Sequence, residues 1–407
     1  MKCRHCGAEV FLPFVDLGFA PPSNAYLTEE DLRKPEKYYP LRVLVCQNCW
    51  LAQTEDIVSS SELFNAHYAY FSSVSRIFSE HAQRYVEMIT SRLSLAEKSF
   101  VVEIASNDGY LLRHFVKAGI PCLGIEPTAS TATASKALGI PTEEKFFCAS
   151  LGKEVASQYQ QADLIIGNNV YAHVPDINDF TRGLKALLKP TGCITLEFHS
   201  LMSLIRGKQF DAIYHEHFSY LSLSVVSKIF NRWGLRVWDA EKISTHGESL
   251  RVYGCHQEED RPVSQAVKDF LEEEERFGLS RAETYQTFQT QSDTIKRETL
   301  TFFLEQNRLG KRVSAYGAAA KASTLLNYAG IKRDFLPCIC DDAVEKQGKY
   351  LPGSHIPILS PQALRENVPH IVYIFSWNIV SEFLNDISDL REKGVECATF
   401  IPKIKVF

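Results

Sequence analysis

The sequence predicts an α/β protein, two tandem Rossmann-like domains standing behind a small zinc-binding N-terminal module. Three observations predict it. Two C-x-x-C pairs, Cys3/Cys6 and Cys46/Cys49, open the chain. From about residue 80, short apolar runs alternate with helical patterns, the mark of a parallel sheet covered on both faces. A glycine turn follows the first such run in VVEIASNDGYLLRHF, and a second alternation begins after Leu309 with KRVSAYGAAAKASTLLNYAG.

The bulk composition suits this architecture. At 407 residues, with 45% hydrophobic and 23% charged side chains, the chain is long enough for two or three domains with real cores. A net charge of −5 speaks against a nucleic-acid binder. No apolar run has the length of a membrane span, and MKCRHCGAEV lacks a signal peptide's apolar core. Of eleven cysteines, the seven outside the paired motifs are scattered, mostly in strand-like runs, so a reduced cytoplasmic protein is expected. A monomer is the expected state.

Residues 1–68 form the expected zinc module. The segment is rich in turn formers (Pro13, Gly18, Pro21, Pro22, Asn24, Pro40) and too small to build much core, so a metal would supply its folding energy. Cys3, Cys6, Cys46 and Cys49 suit one tetrahedral Zn²⁺, and four thiolates leave no open position for catalysis. A redox dithiol is the rival reading, but such pairs sit at strand-to-helix junctions rather than between polar turns. The zinc is expected to lie apart from the catalytic cleft.

Residues 69–240 form the expected central domain. HAQRYVEMITSRL reads as an amphipathic helix, SFVVEIAS as a buried strand, LLRHFVKAG as a helix, PCLGIEP and ADLIIGNN as strands, and FTRGLKALLKPTG as a helix leading into the strand CITLEF. Residues 241–407 form the third domain. DRPVSQAVKDFLEEEERFG and the polar pattern after it read as a long solvated helical stretch. Strand, glycine turn and helix then return in KRVSAYGAAAKASTLLNYAG, followed by the strands FLPCICDD and HIVYIFSW.

A parallel sheet places its ligand beside the first turn, here Glu103 to Gly109. This turn has a single well-placed glycine, where a dinucleotide fingerprint needs three, so no pyrophosphate has to be cradled. S-adenosylmethionine is the cofactor that fits, with Glu103, Asn107 and Asp108 meeting its amino acid end and Ala105 and Gly109 in the same cofactor-binding turn. Glu126, ahead of Pro127 at the end of the next strand, can grip two vicinal ribose hydroxyls. Asn168 and Asn169 end a further strand at the same crevice. An NAD-binding or empty Rossmann-like domain is the alternative these residues leave open.

The densest titratable segment is Tyr214-His215-Glu216-His217-Phe218-Ser219-Tyr220, just beyond CITLEFHS. Histidine is the side chain best suited to take a proton near neutral pH. His173, beyond another strand's end, can converge on the same cleft. A metal site at His215-Glu216-His217 lacks the H-E-x-x-H helical spacing; a polar loop without chemistry is the other alternative.

These segments together resemble the nucleotide-sugar C-methyltransferases. The resemblance spans essentially the whole chain. It is carried by the four cysteines, DLGFAPPSNAYL, YAYFSSVS at 68–75, EIASNDGYLL, YHEHFSYLS, THGESLRVY, AYGAAAKASTLLNY, DDAVEKQGKYLPGSHIPI and SWN at 376–378. It implies a zinc module, a central S-adenosylmethionine-dependent methyltransferase domain and a C-terminal Rossmann-like domain. The implied substrate is a nucleoside-diphosphate 4-keto-6-deoxysugar, methylated at C-3. His217 is then the general base, supported by Tyr214, Glu216 and His173. Tyr68, Tyr70, Ser72 and Ser73 are implied to close over donor and sugar. The C-terminal half, with His246, Arg251, Tyr316, Gly317, Ala318, Lys321 and Asn378, is implied to hold the rest of the substrate, the diphosphate resting on a helix N-terminus beside Lys321. Glu248 stands where the family often has a second glycine in H-G-G-S-L-R. A methyltransferase acting on an amine or hydroxyl, and a nucleotide-sugar-binding zinc protein without turnover, are the alternatives to this reading.

Overall fold

The computed structural model describes the chain apart from residues 56, 65–70, 75, 245 and 246. Tyr68, Tyr70 and His246 therefore lie outside the described residues. Three sheets build the fold. In the N-terminal module, β1 (Leu12–Ala20), β2 (Tyr39–Val45) and β3 (Ala52–Thr54) are successive antiparallel neighbours. The central domain supplies β4 (Val101–Ile104), β5 (Cys122–Ile125), β6 (Thr142–Glu143), β7 (Ala162–Asn168) and β8 (Leu188–His199), then β9 (Ser219–Tyr220), β10 (Leu235–Ile243) and β11 (Ser249–His256). All but β9 join one seven-stranded sheet in the order β10-β11-β8-β7-β4-β5-β6.

The five strands from β4 to β8 are parallel, β11 runs antiparallel beside β8, and β10, antiparallel to β11, points the same way as the five. Every residue of β4 and β5 is buried, which is why VVEI and CLGI read as unbroken apolar runs rather than alternating ones. Chain order reverses between β4 and β7: β5 and β6 extend to one side of β4, β7 and β8 to the other. The crevice at that reversal is where this topology binds ligands.

The third sheet comprises β12 (Val313–Tyr316), β13 (Ile339–Cys340), β14 (Ile358–Leu359), β15 (Ile371–Ile374), β16 (Glu396–Thr399) and β17 (Lys405–Val406). Their order is β14-β13-β12-β15-β16-β17, parallel except for β17. The helix Ala320–Ala329 follows β12 directly.

The domains interlock more than the sequence suggested. The expected boundary at 240 falls inside β10, and the central sheet continues to His256. β9 leaves the central sheet and pairs with β3, completing the module's sheet in the order β1-β2-β3-β9. Phe14 of β1 stacks on Phe288 at 4.5 Å, so the module shares one apolar core with the C-terminal half. Cys3, Cys46, Cys49 and Leu51 pack into the core of the central sheet. The charged stretch expected to be solvated forms the helices Gln265–Phe277 and Phe288–Arg308. One of its glutamates is buried: Glu274 accepts from the backbone N–H groups of Leu223 (2.7 Å) and Ser224 (2.9 Å) at the N-terminus of the helix Leu223–Arg232. A carboxylate is favoured there by the helix dipole.

Candidate active site

The crevice begins where β4 ends. Ala105, Asn107 and Gly109 all adopt left-handed backbone, with φ of +56°, +51° and +80°. A Cβ on Gly109 would lie 2.5 Å from Ile140 Cδ1, so only glycine fits this turn. Glu126, just past β5, clamps the turn from the side: its carboxylate accepts from the N–H of Asn107 and of Thr128, both at 2.9 Å. Burial raises the Glu126 carboxyl and those two bonds oppose the rise. Pro127 lies between these anchors.

Three buried acceptors face this turn without a hydrogen-bond partner: Glu103 Oε2, Asp108 Oδ1 and Asn168 Oδ1. Burial, reinforced by the charges of Asp108 and Glu126, drives the Glu103 carboxyl well above its ordinary range. A cationic ligand with an ammonium group relieves both the orphaned acceptors and the like-charge repulsion. S-adenosylmethionine carries such a group, and the residues present fit it. The remaining polar atoms already hold the cover of the turn: Ser72 N donates to Asn107 Oδ1 (2.9 Å) and Ser73 N to Asp108 Oδ2 (3.1 Å). Asn169, at φ +53°, donates its N–H to the Glu197 carbonyl at 2.8 Å.

Arg251 does not join the C-terminal residues with which it was grouped. Its Nε donates to Glu197 Oε1 at 2.7 Å and its Nη1 to Glu241 Oε1 at 2.7 Å, with His81 Nε2 3.1 Å from Glu197 Oε2. The guanidinium is buried on β11 within the central sheet and lies over the Tyr85 ring. Both carboxylates hold it there, so it braces the sheet rather than presenting a charge to a diphosphate.

The histidine segment sits between all three domains. His217 Nδ1 lies 2.9 Å from the Ala212 carbonyl, which can only accept. Nδ1 therefore carries a proton, and in the neutral form of the ring the lone pair lies on Nε2. The Tyr214 ring lies 4.0 Å from the His217 ring and the His173 ring 4.7 Å, measured between centroids. Burial lowers His173 to about 4, so it stays neutral. Glu216 is buried, and its Oε1 accepts from Asn24 N (3.2 Å) and Nδ2 (3.1 Å). Burial raises its carboxyl, and Oε2 has no hydrogen-bond partner. His215 points away, towards the Pro40 carbonyl at 3.2 Å, so the three side chains of His215-Glu216-His217 do not converge on a metal.

The C-terminal domain meets this segment through its first turn and helix. Thr324 Oγ1 donates to the Ile213 carbonyl at 2.9 Å, and Tyr26, in the N-terminal module, donates to the Ala318 carbonyl at 2.7 Å. Lys321 lies over the Trp377 ring at 4.2 Å and donates to Asn378 Oδ1 at 3.1 Å. Trp377 Nε1 donates to Asp211 Oδ2 at 2.7 Å. Burial lowers the Lys321 ammonium, and the Asp211 charge partly restores it. Lys321 and Asn378 thus stand together beside the histidine segment. Gly317 opens the same turn, and Tyr316 is less accessible: it stacks on Phe383 at 3.9 Å and its hydroxyl is held by Asp342. Asn24, Asp211 and Trp377 join this cluster without having been singled out from the sequence, although Asn24 falls inside DLGFAPPSNAYL and Trp377 inside SWN.

The four cysteines form the metal site. Their sulfurs all lie within 4.8 Å of one another, with Cys3–Cys49 and Cys6–Cys46 each at 3.5 Å. Tetrahedral Zn–S bonds of about 2.3 Å need sulfurs roughly 3.8 Å apart, so the set fits zinc. Each C-x-x-C closes with a residue in left-handed backbone, Gly7 (φ +75°) and Trp50 (φ +70°). β3 leads from this site to the histidine segment. Thr54 Oγ1 donates to the His217 carbonyl at 3.2 Å and the Thr54 N–H donates to the Phe218 carbonyl at 3.1 Å.

Family models match three consecutive segments: a zinc binding domain over residues 3–64, a methyltransferase domain over 78–240 and a C-methyltransferase C-terminal domain over 244–402. The chain is 34% identical to the C-methyltransferase NovU of Streptomyces niveus over 405 residues, covering all of this chain and 96% of NovU. A ubiquinone biosynthesis O-methyltransferase of Rhodopseudomonas palustris is 26% identical over 115 residues, 28% of this chain and 46% of that protein. Among solved structures, a SAM-dependent methyltransferase from Anabaena variabilis matches with 11% identity and a TM-score of 0.37, covering 44% of this chain and 85% of that one. The magnesium protoporphyrin IX methyltransferase of Synechocystis, solved with bound SAM, matches with 14% identity and a TM-score of 0.37, covering 50% and 100%.

Proposed function

The chain belongs to the C-methyltransferase family, and on that premise we propose that it methylates C-3 of a nucleoside-diphosphate 4-keto-6-deoxysugar with S-adenosylmethionine as donor. The bound donor supplies a methyl group made electrophilic by its sulfonium. Glu103, Asp108 and Asn168 would hold its ammonium-bearing end, and Glu126 its ribose hydroxyls.

The observation that carries the reading is the tautomer imposed on His217. With Nδ1–H donated to the Ala212 carbonyl, Nε2 is the basic atom. It takes the proton from the carbon beside the ketone. That carbon is too weak an acid for a histidine unless the developing enolate oxygen meets fixed donors, each worth roughly 3–4 kcal/mol when preorganised. The Tyr214 hydroxyl is the donor suited to that task, with the Glu216 carboxyl, which burial raises, two residues along the chain. His173 keeps the neighbouring position uncharged, so His217 does not compete with a second imidazolium. Lys321, at the start of the helix after Gly317, and Asn378, just past β15, would face the nucleotide end.

The test is product analysis. Purified zinc-replete protein is incubated with S-adenosylmethionine and thymidine- or guanosine-linked 4-keto-6-deoxysugars, and products are read by mass spectrometry and ¹³C NMR. A methyl group on the ring carbon adjacent to C-4 supports the reading. A methyl group on nitrogen or oxygen, or turnover only with other acceptors, contradicts it.

A further inference from the structure

We propose that Arg4, which lies between the first two zinc-binding cysteines, is a positioning residue that sets the spacing of His173 and His217. The inference rests on the reading of His217 as the base. Its grounds are three contacts of one side chain. Arg4 Nη1 donates to the Pro175 carbonyl at 2.8 Å, two residues beyond His173. Arg4 Nη2 donates to the Thr54 carbonyl at 2.8 Å. The guanidinium lies over the ring of Phe218, the residue after His217, at 5.4 Å from its centroid.

Thr54 is itself bonded to the backbone on both sides of that link. It donates from Oγ1 to the His217 carbonyl, and its N–H donates to the Phe218 carbonyl. One planar fork therefore links the loop that carries His173 to β3, whose Thr54 holds the backbone of His217 and Phe218. Arg4 is fixed from behind: its N–H donates to Gln53 Oε1 at 2.9 Å, and Asn178 Nδ2 donates to its carbonyl at 3.0 Å. Asn178 opens the helix Ile177–Leu187, just after the His173 loop. Two carbonyls on different segments require donors held at a fixed separation, which a guanidinium has and an ammonium lacks. The metal knuckle thus anchors a strut that ends at the histidine pair.

The test compares full-length, zinc-loaded Arg4→Met and Arg4→Lys with the unmodified chain and with His217→Ala. A displacement of about 1 Å at reacting groups costs on the order of a hundredfold in rate. Both Arg4 variants are expected to keep one zinc per chain and to bind S-adenosylmethionine within about twofold of the parent, while kcat falls roughly 10- to 100-fold and KM changes little. In NMR of ¹³Cε1-histidine-labelled protein, the His173 and His217 resonances shift in both variants and that of His81 does not. Full kcat in Arg4→Met with an inactive His217→Ala overturns the role of Arg4. Full kcat in Arg4→Lys overturns the two-pronged strut, since charge alone then suffices. Zinc loss with unchanged kcat per zinc-loaded molecule makes Arg4 a folding staple and overturns the proposal equally. Full activity of His217→Ala overturns instead the reading on which it rests.

Discussion

His173 and His217 meet edge to face, their ring centroids 4.7 Å apart and their planes at 66°, although one follows β7 and the other precedes β9. Tandem imidazoles at this distance cannot both be charged at low cost. Burial settles which one yields, holding His173 at about 4.

That shift has a sign for stability. Above the ordinary histidine pKa of about 6.5, His173 is neutral in both folded and unfolded chains, and its contribution is fully present. As pH falls towards about 4, the unfolded chain takes up a proton that the folded one refuses, and stability is lost. The loss attributable to His173 is on the order of 1–3 kcal/mol. Urea unfolding at pH 7 and pH 5 checks this: His173→Gln should flatten the fall. An unchanged slope would show that His173 is not held neutral by its surroundings.

Glu126 couples donor binding to the shape of the turn. In Glu126→Gln an amide N–H₂ must face one of two backbone N–H donors, Asn107 or Thr128. We expect the dissociation constant for S-adenosylmethionine to rise roughly tenfold or more, with a stability cost of about 1–3 kcal/mol. Isothermal titration with donor and product, beside thermal melts, measures both. Donor binding within twofold of the parent would remove Glu126 from the cofactor site.

Lys321 and Asp211 form a partly buried pair beside the histidines. Lys321→Met removes the cation offered to the diphosphate and leaves the Asp211 carboxylate uncompensated. KM for the nucleotide sugar should rise about 10- to 100-fold, since charge-assisted bonds are worth roughly 1.5–3 kcal/mol. Donor affinity should not change. Initial-rate kinetics against each substrate separate the two, and a rise in donor KM alone would move Lys321 out of the sugar site.

The cysteine knuckle carries both fold and site geometry. Cys46→Ser leaves three thiolates for the metal, so metal analysis should find zinc lost or much weakened. Because β3 runs from this knuckle to the histidines, activity should fall together with the melting temperature. A drop of about 10 °C corresponds to roughly 3 kcal/mol for domains of this size. Full activity in a metal-free variant would separate the zinc from the site.

Much of this was legible in the sequence. The four thiols announced their site through spacing alone, and VVEI, CLGI and LIIG announced a buried parallel sheet through their unbroken apolar runs. The turn at Gly109 and the carboxylate at Glu126 were readable because ligand position in such a sheet is fixed by topology. What could not be read was pairing between distant segments. Arg251 was grouped with the substrate-binding residues, but Glu197 and Glu241 reach it only once β8, β10 and β11 lie side by side. Glu274 looked like one more solvated charge in EEEE until the helix start at Leu223 was brought against it. Glu248 departs from the glycine of the resemblance yet holds φ +79°, a conformation that costs a side chain about 1–2 kcal/mol. Its carboxylate accepts from Ser203 Oγ at 2.8 Å, a partner no local pattern points to.

The central claim is that His217 removes a proton from carbon, and solvent exchange tests it most directly. The parent chain and His217→Ala are incubated in D₂O with a nucleoside-diphosphate 4-keto-6-deoxysugar, and deuterium at C-3 is followed by mass spectrometry and NMR. The account predicts enzyme-dependent exchange at C-3 in the parent and its loss in His217→Ala, by a factor on the order of 10²–10⁴, with S-adenosylmethionine binding retained. Exchange at the parent rate in His217→Ala, or methyl transfer to C-3 proceeding without His217, would contradict it.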